Sequence, residues 1–145
     1  MHVFRSLVLD APIARVWEAV RAFDGVATWN PGVTASRMES GTSTSVGSIR
    51  HLDGADGSIW RETLLAHSDR EHAYTYDIVE GPLPCNDYVS TNRFVEITEG
   101  AKTLGIWECT LTCDPADAAE LEHIVGELIY VGGMTGLNDH LKGCS

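Results

Sequence analysis

Between Val33 and Cys113 the chain reads as six strand-like stretches separated by connections too short to carry a crossover helix. The stretches are Val33–Glu39, Val46–Leu52, Ser58–His67, His72–Glu80, Asp87–Thr98 and Thr103–Cys113. Turn chemistry lies between them: Ser40-Gly41-Thr42-Ser43-Thr44, Asp53-Gly54-Ala55-Asp56-Gly57, Ser68-Asp69-Arg70-Glu71, Gly81-Pro82-Leu83-Pro84 and Glu99-Gly100-Ala101. Parallel neighbours need a dozen or more residues to cross over, so these strands are predicted to pair antiparallel, as a meander. Alternation predicts one buried face and one wet face. Tyr74, Tyr76 and Ile78 lie on one side of their strand, and Thr103, Gly105, Trp107, Cys109 and Leu111 on one side of theirs.

What flanks this run decides how the sheet is covered. Val3 to Leu9 reads as a further strand, followed by Pro12 to about Ala22, where Ile13, Val16, Trp17, Val20 and Phe23 recur at three- and four-residue steps. That spacing gives a helix with one apolar face, with Asp10 as its expected N-cap and Pro12 near its first position. Gly25 and Trp29-Asn30-Pro31-Gly32 predict a second short helix or turn. Beyond Asp114-Pro115, residues Ala116 to about Leu141 lack proline and carry Leu121, Ile124, Val125, Leu128, Ile129, Leu137 and Leu141 near helical spacing. This predicts a terminal helix of about 25 residues, roughly 38 Å long, capped by Asp114 or Asp117. Gly132, Gly133 and Gly136 interrupt it, which signals a bend or a close approach to a neighbour. The fold class is therefore α+β. A curved seven-stranded antiparallel sheet wraps round one long C-terminal helix, with two short helices after the first strand.

At 145 residues and 15.8 kDa the chain has the size of one domain, 1–145, with a single core. Ten Lys and Arg against 21 Asp and Glu give a formal charge of −11, with no basic run. Nucleic acid and anionic membrane surfaces are excluded as expected partners. No stretch has the apolar length of a membrane span and no signal-peptide core is present, so the expectation is a cytoplasmic protein without integral membrane association. Self-association is left open. Cys85, Cys109, Cys113 and Cys144 have no CxxC spacing and are expected as free thiols.

The whole chain resembles the START-like, or birch-pollen-allergen-like, superfamily (SRPBCC) with its helix-grip fold, and more narrowly the polyketide cyclase/dehydrase and lipid-transport group. The resemblance is carried by Ala11-Pro12 with Val16-Trp17, Trp29-Asn30-Pro31-Gly32-Val33, Val46-Gly47-Ser48-Ile49-Arg50 and Gly57 with Arg61-Glu62-Thr63-Leu64. Tyr74-Thr75-Tyr76-Asp77-Ile78, Gly81-Pro82-Leu83-Pro84 with Tyr88, and Thr103 with Trp107 complete it. It implies a cavity between sheet and terminal helix that accepts a lipid, aromatic, polyketide or hormone-like molecule. It does not imply one activity, since such proteins include transporters, receptors and cyclases.

Arg50 and Glu62 form the sharpest constellation, on two strands joined by the Asp53–Gly57 loop. An even register places them on one face, close together. Two roles fit: a charged feature that orients a ligand head, with Glu62 raised in pKa for acid–base work, or a structural ion pair in the wall. Trp60, Tyr74, Tyr76, Tyr88 and Trp107 serve as ligand wall or as core. Asn92 is pointed if inward, because a buried amide needs partners. Trp29 is read as lid or as core anchor, Gly81-Pro82-Leu83-Pro84 as gate or stiff turn, and Leu128 belongs to the ligand-binding set. The six histidines lack HxH or HExxH spacing, so no metal site is predicted, and no GxSxG, Walker or GxGxxG segment points to a nucleophile or a cofactor. The expected function is binding, transport or sensing of a hydrophobic small molecule, without chemistry. The alternative is a cyclase, dehydratase or aromatase using Glu62 or a pocket tyrosine as general acid/base.

Overall fold

The computed structural model describes residues 1–143, and Cys144 lies outside the described residues. Seven strands form one antiparallel sheet: β1 (His2–Leu9), β2 (Val33–Ser40), β3 (Ile49–Gly54), β4 (Ile59–Ser68), β5 (Ala73–Glu80), β6 (Asn86–Ile97) and β7 (Lys102–Thr112). Their order is β1-β7-β6-β5-β4-β3-β2. Strands β2 to β7 follow one another as a meander, as their short turns require, and β1 closes against β7. The alternating residues Thr103, Gly105, Trp107, Cys109 and Leu111 are all buried, and so are Tyr74 and Tyr76.

Between β1 and β2 lie α1 (Ile13–Val20) and α2 (Val26–Trp29). Val16, Trp17 and Val20 are buried under α1, as its spacing predicts. The expected cap is corrected. Pro12 occupies the N-cap position with no side-chain hydrogen bond, and its carbonyl accepts from Arg15 and Val16. Asp10 instead holds the terminal helix: its N–H donates to Asn138 Oδ1 at 2.8 Å and its carboxylate pairs with Lys102 at 3.2 Å. One strand boundary also moves. Val46 is 65% exposed, and Ser45–Ser48 is a turn in which the Ser48 N–H meets the Ser45 carbonyl, so β3 begins only at Ile49.

The terminal helix opens on the 3₁₀ turn Pro115–Asp117, capped by Asp114, whose Oδ1 accepts from Ala116 N–H at 2.9 Å. It continues through α3 (Ala118–Leu121), a π-helical stretch Glu122–Val131, and α4 (Gly132–Gly143). In the π stretch each turn takes in an extra residue. Its buried residues are Val125, Gly126 and Tyr130, and Leu128, predicted on the apolar face, is left 62% exposed. The glycines mark close approach. A Cβ on Gly133 would lie 2.6 Å from the Trp107 ring, and one on Gly136 would overlap the Pro31 ring.

The core lies between the sheet and these helices. Val3, Leu9, Val16, Phe23, Leu64, Val125, Tyr130 and Leu137 are fully buried in it. α1 is fixed to the β4–β5 turn by Asp69, which accepts from Trp17 Nε1 at 2.8 Å and from both sides of the Arg21 fork at 3.0 Å.

Two measurements check these contacts. Gly133→Ala lowers stability by about 1–3 kcal/mol in denaturant unfolding, through overpacking against Trp107. Gly132→Ala, whose Cβ meets only the Glu127 carbonyl at 3.7 Å, does not. Hydrogen bonds from Arg21, then from Trp17, hold the Asp69 carboxyl well below the usual carboxylate range. On acidification the unfolded chain therefore takes up this proton first, and the Asp69 contribution is lost as pH falls through the carboxylate range. Wild type melts above Asp69→Asn at pH 7, and the gap shrinks below about pH 4; a gap constant across that range contradicts the assignment.

Candidate functional site

Antiparallel pairing of β3 with β4 sets Arg50 directly opposite Glu62. Both side chains point into the core, where the residues are 2% and 4% exposed. Arg50 Nε donates to Glu62 Oε1 at 2.9 Å, Nη2 lies 2.8 Å from the same oxygen in an ion pair, and Nη1 donates to the Phe23 carbonyl at 2.8 Å. The guanidinium lies 3.9 Å above the Phe23 ring centroid and 4.8 Å from that of Tyr76, which adds cation–π attraction to a desolvated charge.

The pair is asymmetric in a way that matters for binding. Both Arg50 contacts fall on Oε1, and among the described residues no hydrogen bond reaches Oε2. Glu62 lines the space in front of the pair. Burial raises the Glu62 carboxyl above its ordinary value, and Arg50 opposes that rise. Burial works against the Arg50 charge, but the Glu62 carboxylate outweighs it and the guanidinium stays ionised.

The space in front of Glu62 is a cavity of about 120 Å³. Leu52, Trp60, Tyr76, Tyr88 and Trp107 wall it from the sheet, Val26, Asn30 and Val33 from the α2 side, and Leu128 and Ile129 from the π-helical stretch. An engineered apolar cavity of about 150 Å³ holds benzene, whereas drug-sized ligands occupy roughly 300–1,000 Å³. In this conformation the cavity takes one ring-sized group. A longer molecule has to extend past Leu128 at the mouth.

Behind the cavity a polar network fixes the aromatic wall. Trp107 Nε1 donates to Tyr76 OH at 3.1 Å and to Ser90 Oγ at 3.0 Å. The Tyr130 hydroxyl bonds Ser90 Oγ at 2.8 Å and the Tyr88 hydroxyl at 2.6 Å. Tyr130 also stacks on Trp107 with centroids 4.7 Å apart. Burial pushes the Tyr76, Tyr88 and Tyr130 phenols well above their ordinary value, so they remain protonated and act as hydrogen-bond donors, not bases.

Seven sequence-selected residues thus meet round one cavity: Arg50, Trp60, Glu62, Tyr76, Tyr88, Trp107 and Leu128. Three stand outside its wall. Tyr74 packs behind, stacked on Tyr76 and edge-on to Phe23. Asn92 is inward, with Nδ2 donating to Tyr74 OH at 3.1 Å, while its Oδ1 is left unpartnered. Trp29 is buried edge-to-face against Trp107 and supports the wall from outside, where a lid would have lain over the mouth. Phe23, Ser90 and Tyr130 are additions. Phe23 ends the apolar periodicity of α1, and Gly132-Gly133 next to Tyr130 was the available signal that the helix comes close to the sheet there.

A meander sheet closed by its first strand, two short helices and a long terminal helix over a buried cavity define a helix-grip protein of the START-like, birch-pollen-allergen-like class. The chain belongs to the polyketide cyclase/dehydrase and lipid transport family, whose model matches residues 1–142. Among solved structures it is similar to the protein XoxI of Bacillus cereus, at 28% identity, with 97% of this chain and 95% of that one covered and a TM-score of 0.87. An uncharacterized protein of Bacillus thuringiensis is also 28% identical over 98% and 99% of the two chains, with a TM-score of 0.88. Norcoclaurine synthase of Thalictrum flavum, solved with dopamine and hydroxybenzaldehyde, shares the fold at 13% identity, a TM-score of 0.78, and coverage of 100% of this chain and 88% of that one. No curated protein matches. Among the described residues no helix is long and apolar enough to cross a membrane.

The buried pair makes a sharp energetic prediction. Arg50→Met leaves Glu62 buried without its counter-charge and lowers unfolding free energy by about 3–5 kcal/mol. The double variant Arg50→Met with Glu62→Leu recovers most of that loss. Equal or additive losses would contradict a coupled pair.

Proposed function

We propose that the protein binds, for transport or sensing, a small hydrophobic molecule whose ring-sized part fills the central cavity and whose hydrogen-bond donor meets Glu62. The observation that carries this reading is that the Arg50 contacts gather on Glu62 Oε1, that among the described residues no donor meets Oε2, and that Glu62 lines an otherwise largely apolar cavity. A buried carboxylate oxygen gains most from a ligand hydroxyl or amine, because the bond is charge-assisted and water competes poorly there. Arg50 keeps the carboxylate charged and aimed. The protonated Tyr76 phenol, already accepting from Trp107, offers its own hydrogen to a ligand acceptor. Family membership supports a hydrophobic ligand.

Phenol and toluene separate the polar contribution from the apolar one. Titrated by NMR into folded protein, phenol binds more tightly than toluene, and Glu62→Gln weakens phenol by about tenfold while leaving toluene nearly unchanged. Native mass spectrometry of gently purified protein is expected to show a co-purified small molecule. A cavity that excludes both probes overturns the reading.

A second reading, acid–base catalysis of the cyclase or dehydratase type, is favoured by one specific feature: the raised carboxyl of Glu62 in a water-poor cavity. The raised tyrosines leave Glu62 as the base. For a substrate that the protein turns over, Glu62→Gln abolishes turnover and retains binding. Unchanged turnover removes Glu62 from that role.

A further inference from the structure

The end of the β6–β7 ladder brings together two thiols that the cavity does not use. Asn86 pairs with Thr112 there, and Thr112 Oγ1 ties the strands further by donating to the Asn86 carbonyl at 3.2 Å and to Asp87 Oδ2 at 3.0 Å. Cys85 and Cys113 each lie one residue beyond this last ladder pair, where the Cys85 N–H turns back to the Leu83 carbonyl at 2.9 Å. Continuing the antiparallel register would set the two cysteines opposite each other, with Cα atoms about 4.5–5.5 Å apart, inside the roughly 4.4–6.8 Å window of a disulfide. Both cysteines fall on the inner side of the sheet, both pack against the core, and both are half-buried, so reagents reach them. Cys113 has the Met1 thioether as its other neighbour, with Sγ to Sδ 3.9 Å.

We propose that Cys85 and Cys113 form a modification site, an oxidant-driven disulfide that fastens the Gly81–Cys85 connection to the end of β7. The oxidant is a low-molecular-weight disulfide of the glutathione type. One protein thiolate attacks a sulfur of that disulfide, forming a mixed disulfide and releasing one small thiolate. The second protein thiolate then attacks the protein sulfur of the mixed disulfide and expels the other. Two protein thiols are oxidised, the small disulfide is reduced to two thiols, and the protons given up by the protein end on them. Cys109 is out of reach of Cys113: it lies opposite Ser90 and four residues along the strand, about 13 Å away. The bridge also reaches the cavity, because Leu83 and Cys85 share a hollow with Tyr88, and Tyr88 walls the central cavity.

Burial, with the Cys113 thiol beside it, pushes the Cys85 thiol up, so the test is run at mildly alkaline pH. Folded protein is incubated with glutathione disulfide, blocked with an alkylating reagent and mapped as peptides without reduction. The expected product is a peptide pair joined through Cys85 and Cys113, absent from Cys85→Ala and Cys113→Ala, with a melting midpoint several degrees above that of the reduced form and restored by dithiothreitol. Glutathione adducts that persist on the two cysteines without joining overturn the proposal, as does a link through Cys109 or Cys144. The wild-type peptide map decides alone if a variant folds poorly.

Discussion

The buried contact between Arg50 and Glu62 is the constraint on which the rest of the site depends. Two charges in a core are expensive unless geometry and further hydrogen bonds compensate them. Here the compensation comes from three directions: the opposed register of β3 and β4, the Phe23 carbonyl, and the Phe23 and Tyr76 rings beneath the guanidinium. Each of these ties a different part of the fold to one point. The register fixes β3 against β4, and Phe23 sets where the chain leaves α1. Both Arg50 contacts fall on one oxygen of Glu62, and among the described residues no hydrogen bond reaches the other.

The opposite wall is set by how closely the terminal helix can approach. Gly133 lets it close onto Trp107, which is held by Tyr76, Ser90 and a stacked Tyr130. The π-helical stretch immediately before brings Tyr130 inward and leaves Leu128 at the mouth. The result is a cavity with a rigid polar back and an apolar rim. Its volume of about 120 Å³ fits a ring and excludes bulkier groups unless Leu128 and Ile129 give way. Such a stretch carries an extra residue per turn, and stretches of this kind are frequent at functional sites.

The fold was legible because short turns force antiparallel pairing and because period-two and period-3.6 patterns are distinct in this chain. The pair Arg50 and Glu62 was legible for the same reason: one short loop between two strands leaves few registers. What the pattern missed follows from effects that periodicity does not contain. A π stretch breaks the 3.6 period, so Leu128 counts as inward and Tyr130 goes unnoticed. In the sequence Trp29 is open between lid and core anchor, and its buried edge-to-face contact with Trp107 fits the anchor. Asp10 has the composition of a cap, but Lys102 and Asn138, remote in sequence, claim it. Tertiary partners decided Trp29 and Asp10, and only the three-dimensional structure contains them.

The most direct test of the site is a crystal structure of the protein soaked with phenol. The ring is predicted to lie in the central cavity against Trp60 and Trp107, with its oxygen about 2.5–3.0 Å from Glu62 Oε2 and the Arg50 contacts to Oε1 intact. Phenol bound only elsewhere, or a cavity that stays empty at saturating concentration, would contradict the account.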